Sequence, residues 1–393
     1  MWRPISLARW VCLFVIFLVM LYSFQLIHSE TSSTKQQHQL ATSQRKGRRC
    51  ELMEKELSQN YSQFMRQDLA PNKYVIYTCT GASRGSRCGG WSDRMKTIVS
   101  SYILSLITKR QFRILDTYPC NFTRSFDENL VTWKLKQSEL KDLTSQNFYA
   151  SSGVKIARNH FRSGDFESVH KAEVVYFRGN WDFLNEFSER PRVGEMLPWL
   201  LQTPRPDIYR SILRMLLRHT GSVKSSIEDF FTKKVQNKKL VCAHVRQGRS
   251  KTLPTDDSTD IKEKDVQLIF DFFSKYKTSN HKLFIATDSA DVKNLARQKF
   301  QDFLLEVPGP ITHMDISRSG DLCNGQQKAF IEHEILTRCD TLLLTRSGFG
   351  IIAAFLRENS EELYCYSRHY IAPCSRYTLS KIYPWTLSPW DDL

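Results

Sequence analysis

The stretch His244-Val245-Arg246-Gln247-Gly248-Arg249 sets an imidazole, two guanidinium groups and a glycine where a run of β-forming residues, Lys239 to Arg246 (KLVCAHVR), comes to its end. A strand of that composition is buried on both faces, so a guanidinium at its end is costly unless it opens onto a crevice and meets an anion. Arginine holds two oxygens at once, and a diphosphate is its natural partner there, with His244 and Gly248 beside it. The alternative is a structural salt bridge for Arg246 and a hydrogen-bonded core histidine for His244. Two later strand ends repeat the theme: Thr287-Asp288-Ser289 after KLFIAT, and Thr345-Arg346-Ser347-Gly348-Phe349-Gly350 after TLLLT. Asp288 and Ser289 suit hydrogen bonds to a base or ribose, and equally suit helix N-caps. Ser347, Gly348 and the helix N-terminus opening at Phe349 suit donation to phosphate oxygens. A fourth constellation is Cys88-Gly89-Gly90-Trp91-Ser92-Asp93-Arg94. Gly89 and Gly90 let backbone N–H groups approach a ligand, with Asp93 and Arg94 behind them; a plain strand-to-helix turn with Asp93 as a solvated first-turn charge fits as well.

The elements that must hold these residues follow from periodicity. Tyr74 to Cys79 (YVIYTC) reads as a strand, Arg94 to Thr108 as a helix with apolar residues at i, i+3, i+4 spacing, and Phe112 to Asp116 (FRILD) as a second strand. That unit seeds a parallel α/β domain. From about Phe122 to Val235 the sequence is mostly helical and irregular, with an amphipathic Ile208 to His219 segment, and gives no topology. Beyond it, alternation is regular: strands at Lys239 to Arg246, Lys282 to Thr287, Phe303 to Val307, Thr341 to Thr345 and Leu363 to Tyr366, and helices at Asp265 to Tyr276, Asp291 to Phe300, Gln326 to Arg338 and Phe349 to Arg357. This is the pattern of a doubly wound sheet, which binds ligands outside the carboxyl ends of its strands.

The chain has 393 residues and a formal charge of +15. The charge favours anionic partners, and the lack of a zinc-finger, helix-turn-helix or RNA-binding signature argues against nucleic acid. Trp10 to Ile27 is an uncharged apolar run of roughly the length that crosses a bilayer, preceded by Arg3 and Arg9. It is expected to be an uncleaved signal-anchor rather than a signal peptide, with a cytosolic tail at 1–9 and the rest luminal. Residues 28–50, rich in Ser, Thr, Gln, Lys and Arg, read as a flexible stem. Two sequons, Asn60-Tyr61-Ser62 and Asn121-Phe122-Thr123, and nine of the ten cysteines lie beyond the anchor. The odd luminal number leaves at least one cysteine free or intermolecular, and close spacing makes Cys79 with Cys88 and Cys365 with Cys374 the first pairs expected.

The four constellations also carry a resemblance. HVRQGR resembles the His-x-Arg-Arg motif of the GDP-fucose-dependent fucosyltransferase superfamily (α-1,2, α-1,6 and protein O-fucosyl branches), matching His244, Arg246 and Gly248 and departing at Gln247 and Arg249. LFIATDSADVKNLARQKF and LLLTRSGFGIIAAF resemble its second and third motifs, and CGGWSDRMKTIVSSYILSLITKRQFRILD resembles the start of its first domain. The resemblance implies a GT-B architecture of two Rossmann-like domains, here 51–235 on the acceptor side and 236–393 binding the nucleotide sugar. It implies a Golgi type II membrane enzyme transferring fucose from GDP-fucose to a glycan or glycoprotein, with inversion. No metal or other cofactor is expected, and the sequence has no Asp-x-Asp clamp; leaving-group charge would then fall to Arg246. Asp256 and Asp257, in the loop after the first motif, are the candidate carboxylates for general-base work. Two other readings are a Golgi sulfotransferase, because Arg346-Ser347-Gly348 mimics a phosphosulfate loop, and a catalytically inactive glycan-binding relative, because of Gln247 and Arg249.

Overall fold

The computed structural model describes residues 61–81, 88–150, 154–163, 166–259, 261–316 and 320–384. The segments expected as cytosolic tail, membrane anchor and stem, and Asn60 of the first sequon, lie outside the described residues. Among the described residues no helix is long and apolar enough to cross a membrane.

Tyr74–Cys79 (β1) is buried along its whole length, as a strand covered on both faces must be. Gln111–Asp116 (β2), Ser145–Tyr149 (β3) and Val174–Arg178 (β4) join it in a parallel sheet of order β2-β1-β4-β3. The last two strands add to a stretch, 122–235, that is otherwise helical and irregular as expected. β4 (VVYFR) is a short strand inside helical surroundings, and β3 (SQNFY) is a polar edge strand with little apolar alternation to show. Trp91–Ile107 (α1) follows β1 and buries every residue except Asp93. Its small polar residues are satisfied within the helix: the Ser101 hydroxyl donates to the Thr97 carbonyl at 2.7 Å and the Ser105 hydroxyl to the Tyr102 carbonyl at 2.6 Å. The amphipathic segment near 208 forms Arg205–Leu216 (α2), which stops there because Leu217–His219 pairs antiparallel with Phe126–Glu128.

The second sheet contains Lys239–Val245 (β5), His281–Thr287 (β6), Leu304–Leu305 (β7), Thr341–Leu344 (β8), Leu363–Ser367 (β9) and Tyr370–Pro373 (β10). Its order is β10-β9-β8-β5-β6-β7, parallel except for β10. The strand expected over Phe303 to Val307 shrinks to two residues, and the antiparallel edge strand β10 was not foreseen. Glu263–Ser274 (α3), Ala290–Phe300 (α4), Leu322–Thr337 (α5) and Gly348–Leu356 (α6) make the connections. Val241, Ala243, Phe273, Leu283 and Phe300 meet in the core beneath α3 and α4. Full burial of each phenylalanine there contributes about 1.5–3 kcal/mol. From β7 the chain returns to the other side of β5, so the β5–β8 boundary is the point where winding reverses and a crevice opens. α1 packs on β1 and β2 with one side and on α2 and α6 with the other, which is why a helix read as one-sided is buried all round.

The eight cysteines from Cys79 to Cys374 are all paired. The two expected bridges, Cys79–Cys88 and Cys365–Cys374, are present. Cys242–Cys339 ties β5 to the residues after α5, and Cys120–Cys323 ties the segment after β2 to the start of α5 across 203 residues of sequence. The remaining cysteine beyond the apolar run, Cys50, lies outside the described residues.

Candidate functional site at the strand ends

Arg246 follows β5 directly. Its backbone N–H donates to the Thr345 hydroxyl at 2.8 Å, which locks the end of β5 to the end of β8. Its guanidinium lies between two carboxylates, 2.7 Å from Asp288 and 2.5 Å from Asp256. Asp288 also accepts the backbone N–H groups of Gln247 and Gly248, each at 2.8 Å, so one carboxylate folds the whole His-Val-Arg-Gln-Gly turn. Gly248 is required by that turn. Its φ is +73°, and a Cβ there would come within 2.2 Å of the Asp257 carbonyl oxygen. Arg249 closes the loop from its side, its N–H donating to Asp257 O at 3.1 Å and its Nε to Asp256 O at 3.2 Å. Arg246, Asp256 and Asp288 together carry one net negative charge, so the fork is held in orientation but its charge is already matched.

His244, buried on β5, stacks on Phe349 with ring centroids 5.1 Å apart, and His333 of α5 meets the same ring edge-on at 4.8 Å. Burial first, then the Arg246 charge and His333, pushes the His244 pKa down to about 3. Burial does the same to His333, also to about 3. Both rings are therefore neutral at neutral pH. His244 Nδ1 and His333 Nε2 are buried without hydrogen-bond partners among the described residues. A Cβ on Gly350 would come within 2.9 Å of His244 Nδ1, so only glycine lets α6 lie this close to the imidazole.

A cavity of about 320 Å³ opens over these strand ends. His244, Arg246, Asp257 and Asp288 line it from β5, β6 and the loop between β5 and α3, while Ser347, Gly348 and Phe349 line it from the start of α6. Gly90 and Asp93 come to it from the first sheet's side. Gly89, Arg94, Gly248, Asp256 and Ser289 stand behind the wall, and their bonds show what they hold there. Gly89 has φ +76° and no room for a Cβ beside Asp93. Arg94 is buried against Asp116 at 3.0 Å and donates to the Tyr118 carbonyl. Ser289 caps α4, its hydroxyl oxygen accepting from Val292 N at 3.4 Å. Asp93 accepts from Gly90 N at 2.9 Å and pairs with Lys96 at 2.8 Å.

Three lining residues went unread in the sequence. Lys328 and Glu332 form a buried i,i+4 pair at 2.6 Å on α5; in the sequence they stand among Asn324, Gln326, Gln327 and Glu334, so nothing local marks the pair as turned inward. His313 sits in an irregular loop with no periodicity to mark it. Its Nε2 is 3.6 Å from where a Gly90 Cβ would stand, so it faces the first sheet's side across the cavity. Burial and then Arg246 lower its pKa. Among the described residues no group of three or more His, Cys, Asp or Glu is arranged to hold a metal ion.

Fold and site together define an α/β protein built on a four-stranded and a six-stranded sheet, with a ligand crevice at the reversal point of the larger one. No family model matches the chain, and no curated protein does. Solved structures do. A FUT1 variant from Arabidopsis thaliana in complex with GDP matches over 79% of this chain and 75% of that one, with a TM-score of 0.54 at 13% identity. NodZ α-1,6-fucosyltransferase from Bradyrhizobium, co-crystallised with GDP, matches over 78% and 99%, with a TM-score of 0.50 at 15% identity. The chain therefore has the fold of these fucosyltransferases.

Proposed function

We propose that this protein transfers fucose from GDP-fucose to a glycan or glycoprotein acceptor, with inversion and without a metal, as a Golgi type II enzyme whose catalytic part is luminal. The observation that carries the reading is the convergence of four sequence-separated constellations on one cavity at the switch point, in a fold shared with fucosyltransferases crystallised with GDP. The domain division at about residue 235 belongs to the same proposal: the six-stranded sheet takes the nucleotide, and the four-stranded sheet faces the acceptor.

In this reading the diphosphate lies against Arg246 and the first turn of α6, where the N–H groups of Gly348 and Phe349 lack intrahelical partners and the helix dipole favours negative charge. Asp256 and Asp288 fix the plane of the guanidinium, so its remaining N–H edge is oriented before the donor arrives. Their charge makes the ground state a moderate anion site. The contact strengthens as charge develops on the leaving nucleotide, which is where catalysis benefits. Of the two candidate base carboxylates, Asp257 is exposed and lines the cavity, whereas Asp256 is buried against Arg246. Asp257 is accordingly the carboxylate that can take the acceptor proton, and Asp256 positions the arginine.

The test is a thermal-shift panel on the full-length protein in detergent with GDP, GDP-fucose, GDP-mannose, UDP-sugars and adenosine 3′,5′-bisphosphate, since a ligand bound only by the native state raises its melting temperature. GDP and GDP-fucose are expected to raise it, and GDP release from GDP-fucose is expected to continue in excess chelator. A shift with the adenosine bisphosphate alone would move the protein to the sulfotransferase class. Binding of GDP-fucose without turnover on any glycan would leave a binding protein.

A further inference from the structure

The carboxyl edge of the first sheet ends in a charge that no carboxylate among the described residues neutralises. Arg178, the last residue of β4, is only 6% exposed. Its Nε is buried without a hydrogen bond, its guanidinium lies over the Tyr149 ring at 5.3 Å, and no carboxylate among the described residues pairs with it. Other buried arginines of this half are matched: Arg94 with Asp116, Arg110 with Glu167, Arg113 with Glu139 and Arg158 with Glu186. Removing a guanidinium from water without a counter-ion is strongly unfavourable, and a ring face returns only a small part of that cost. A charge kept this way at a strand end is set to receive an anion from outside the chain.

Its position fits a ligand. β4 borders β1 at the point where the first sheet reverses its winding, and Arg178 stands at the carboxyl end of that boundary. Tyr149, its partner in the β3–β4 register, is 46% exposed. Just beyond Arg178, the side-chain oxygen of Asn180 is also buried without a hydrogen-bond partner among the described residues. Lys96 lies over the next residue, Trp181, at 5.2 Å and reaches Asp93 at the cavity wall at 2.8 Å. Trp181 is thus joined to the cavity wall through Lys96 and Asp93, and Arg178 precedes it in the segment that leaves the end of β4.

We propose that Arg178 and Tyr149 form a subsite for an anionic sugar of the acceptor, Arg178 gripping a carboxylate or sulfate ester in its fork and Tyr149 flanking the ring. The word acceptor rests on the fucosyltransferase reading; the recognition of an anionic glycan does not. The full-length protein in detergent is titrated, without donor, with two pairs of trisaccharides: glucuronate-terminated against glucose-terminated, and galactose-6-sulfate-terminated against galactose-terminated. The acidic member of at least one pair is expected to bind about tenfold to a hundredfold more tightly, the range of a charge-assisted contact. Preference in the first pair alone names a carboxylate, in the second alone a sulfate ester, and in both an undiscriminating anion site. Arg178→Gln is expected to erase the preference, and Arg178→Lys, which keeps the charge and loses the fork, to restore only part of it. Should Arg178→Gln not fold, Tyr149→Ala at its exposed position is expected to weaken the acidic probe about threefold or more with melting retained. Equal affinity within both pairs, a preference unchanged in Arg178→Gln, or unchanged affinity in Tyr149→Ala when only that variant folds, overturns the proposal. Absence of any GDP or GDP-fucose binding alongside an Arg178-dependent preference removes the fucosyltransferase reading and leaves the anionic-glycan site standing.

Discussion

Each of the two sheets ends a strand beside its switch point with an arginine, and the two arginines are treated in opposite ways. Arg246 lies between Asp256 and Asp288. Arg178 lies against Tyr149 with no carboxylate among the described residues beside it. A matched arginine is an oriented hydrogen-bond fork with little spare charge, suited to a contact that must strengthen during reaction rather than hold a ground state too tightly. An unmatched one has the opposite character: its charge is uncompensated until a ligand supplies the anion. On the proposed reading the difference separates a site built for chemistry from one built for recognition, although both sit at the same topological position.

The sharpest way to break that comparison is Arg246→Ala. Turnover of GDP-fucose per folded molecule is expected to fall about 10² to 10³-fold, roughly 3–4 kcal/mol, the scale of losing a donor to developing negative charge. Melting is expected to fall as well, because Asp256 and Asp288 are left facing each other without their cation. The two effects separate in Arg246→Lys, which restores much of the melting temperature and little of the turnover, since a lysine matches the charge but not the fork. If Arg246→Ala melts early while its folded fraction binds GDP and turns over normally, Arg246 belongs to the frame alone and the contrast with Arg178 disappears.

A second effect concerns acid and the frame of the second sheet alone. His244 and His333, both on the second sheet's side, have pKa values pushed down to about 3 from an ordinary 6.5, chiefly by burial. In the unfolded chain each takes a proton as pH falls through about 6.5, while in the folded chain each stays neutral until about 3. Stability is thus fully present above about pH 6.5 and is lost as pH falls from there toward 3, by about 1.4 kcal/mol per pH unit for each ring once well below 6.5. Melting curves from pH 7.5 to 4.5 are expected to show this slope, and His333→Gln to remove about half of the part these two rings supply. A pH-independent melting temperature over that range would mean that the rings are not buried as neutral bases.

Much of the second sheet was legible because its strands are apolar runs closed by helices of clear period, and Arg246 was legible as a charge where such a run should stay apolar. What surrounds Arg246 was less so. That Asp288 folds the HVRQG turn depends on β6 lying beside β5 in register, His244 opposite Ala286 and Val245 opposite Thr287, which no local pattern encodes. Arg178 was hidden for a related reason. It ends a five-residue strand inside a segment whose helices dominate the periodicity, and its meaning comes from a missing partner that only three dimensions reveal. Lys328 and Glu332 looked like an ordinary i,i+4 surface pair, and only the packing of α5 turns that pair inward.

The smallest expected effect tests whether a polar residue at a strand end is there for the ligand or for the frame. Ser289 and Asp288 are neighbours at the end of β6, and both suit a nucleotide by composition alone. Asp288 faces the cavity, whereas Ser289 is buried behind it as the N-cap of α4, its oxygen accepting from Val292 N at 3.4 Å. Ser289→Ala removes one capping bond and leaves a small side chain of similar volume, so it is expected to lower stability by about 1 kcal/mol. No part of that loss should appear in ligand binding. The melting shift produced by saturating GDP is expected to be the same in Ser289→Ala as in the parent, within error of the two curves. Asp288→Asn is the matched control. It weakens the hold on Arg246 and on two backbone N–H groups at once, so it is expected to diminish the GDP-induced shift as well as the baseline melting temperature. If Ser289→Ala instead loses the GDP shift while melting only slightly early, the hydroxyl reaches the donor. The wall of the site would then lie one residue deeper than the cavity's outline.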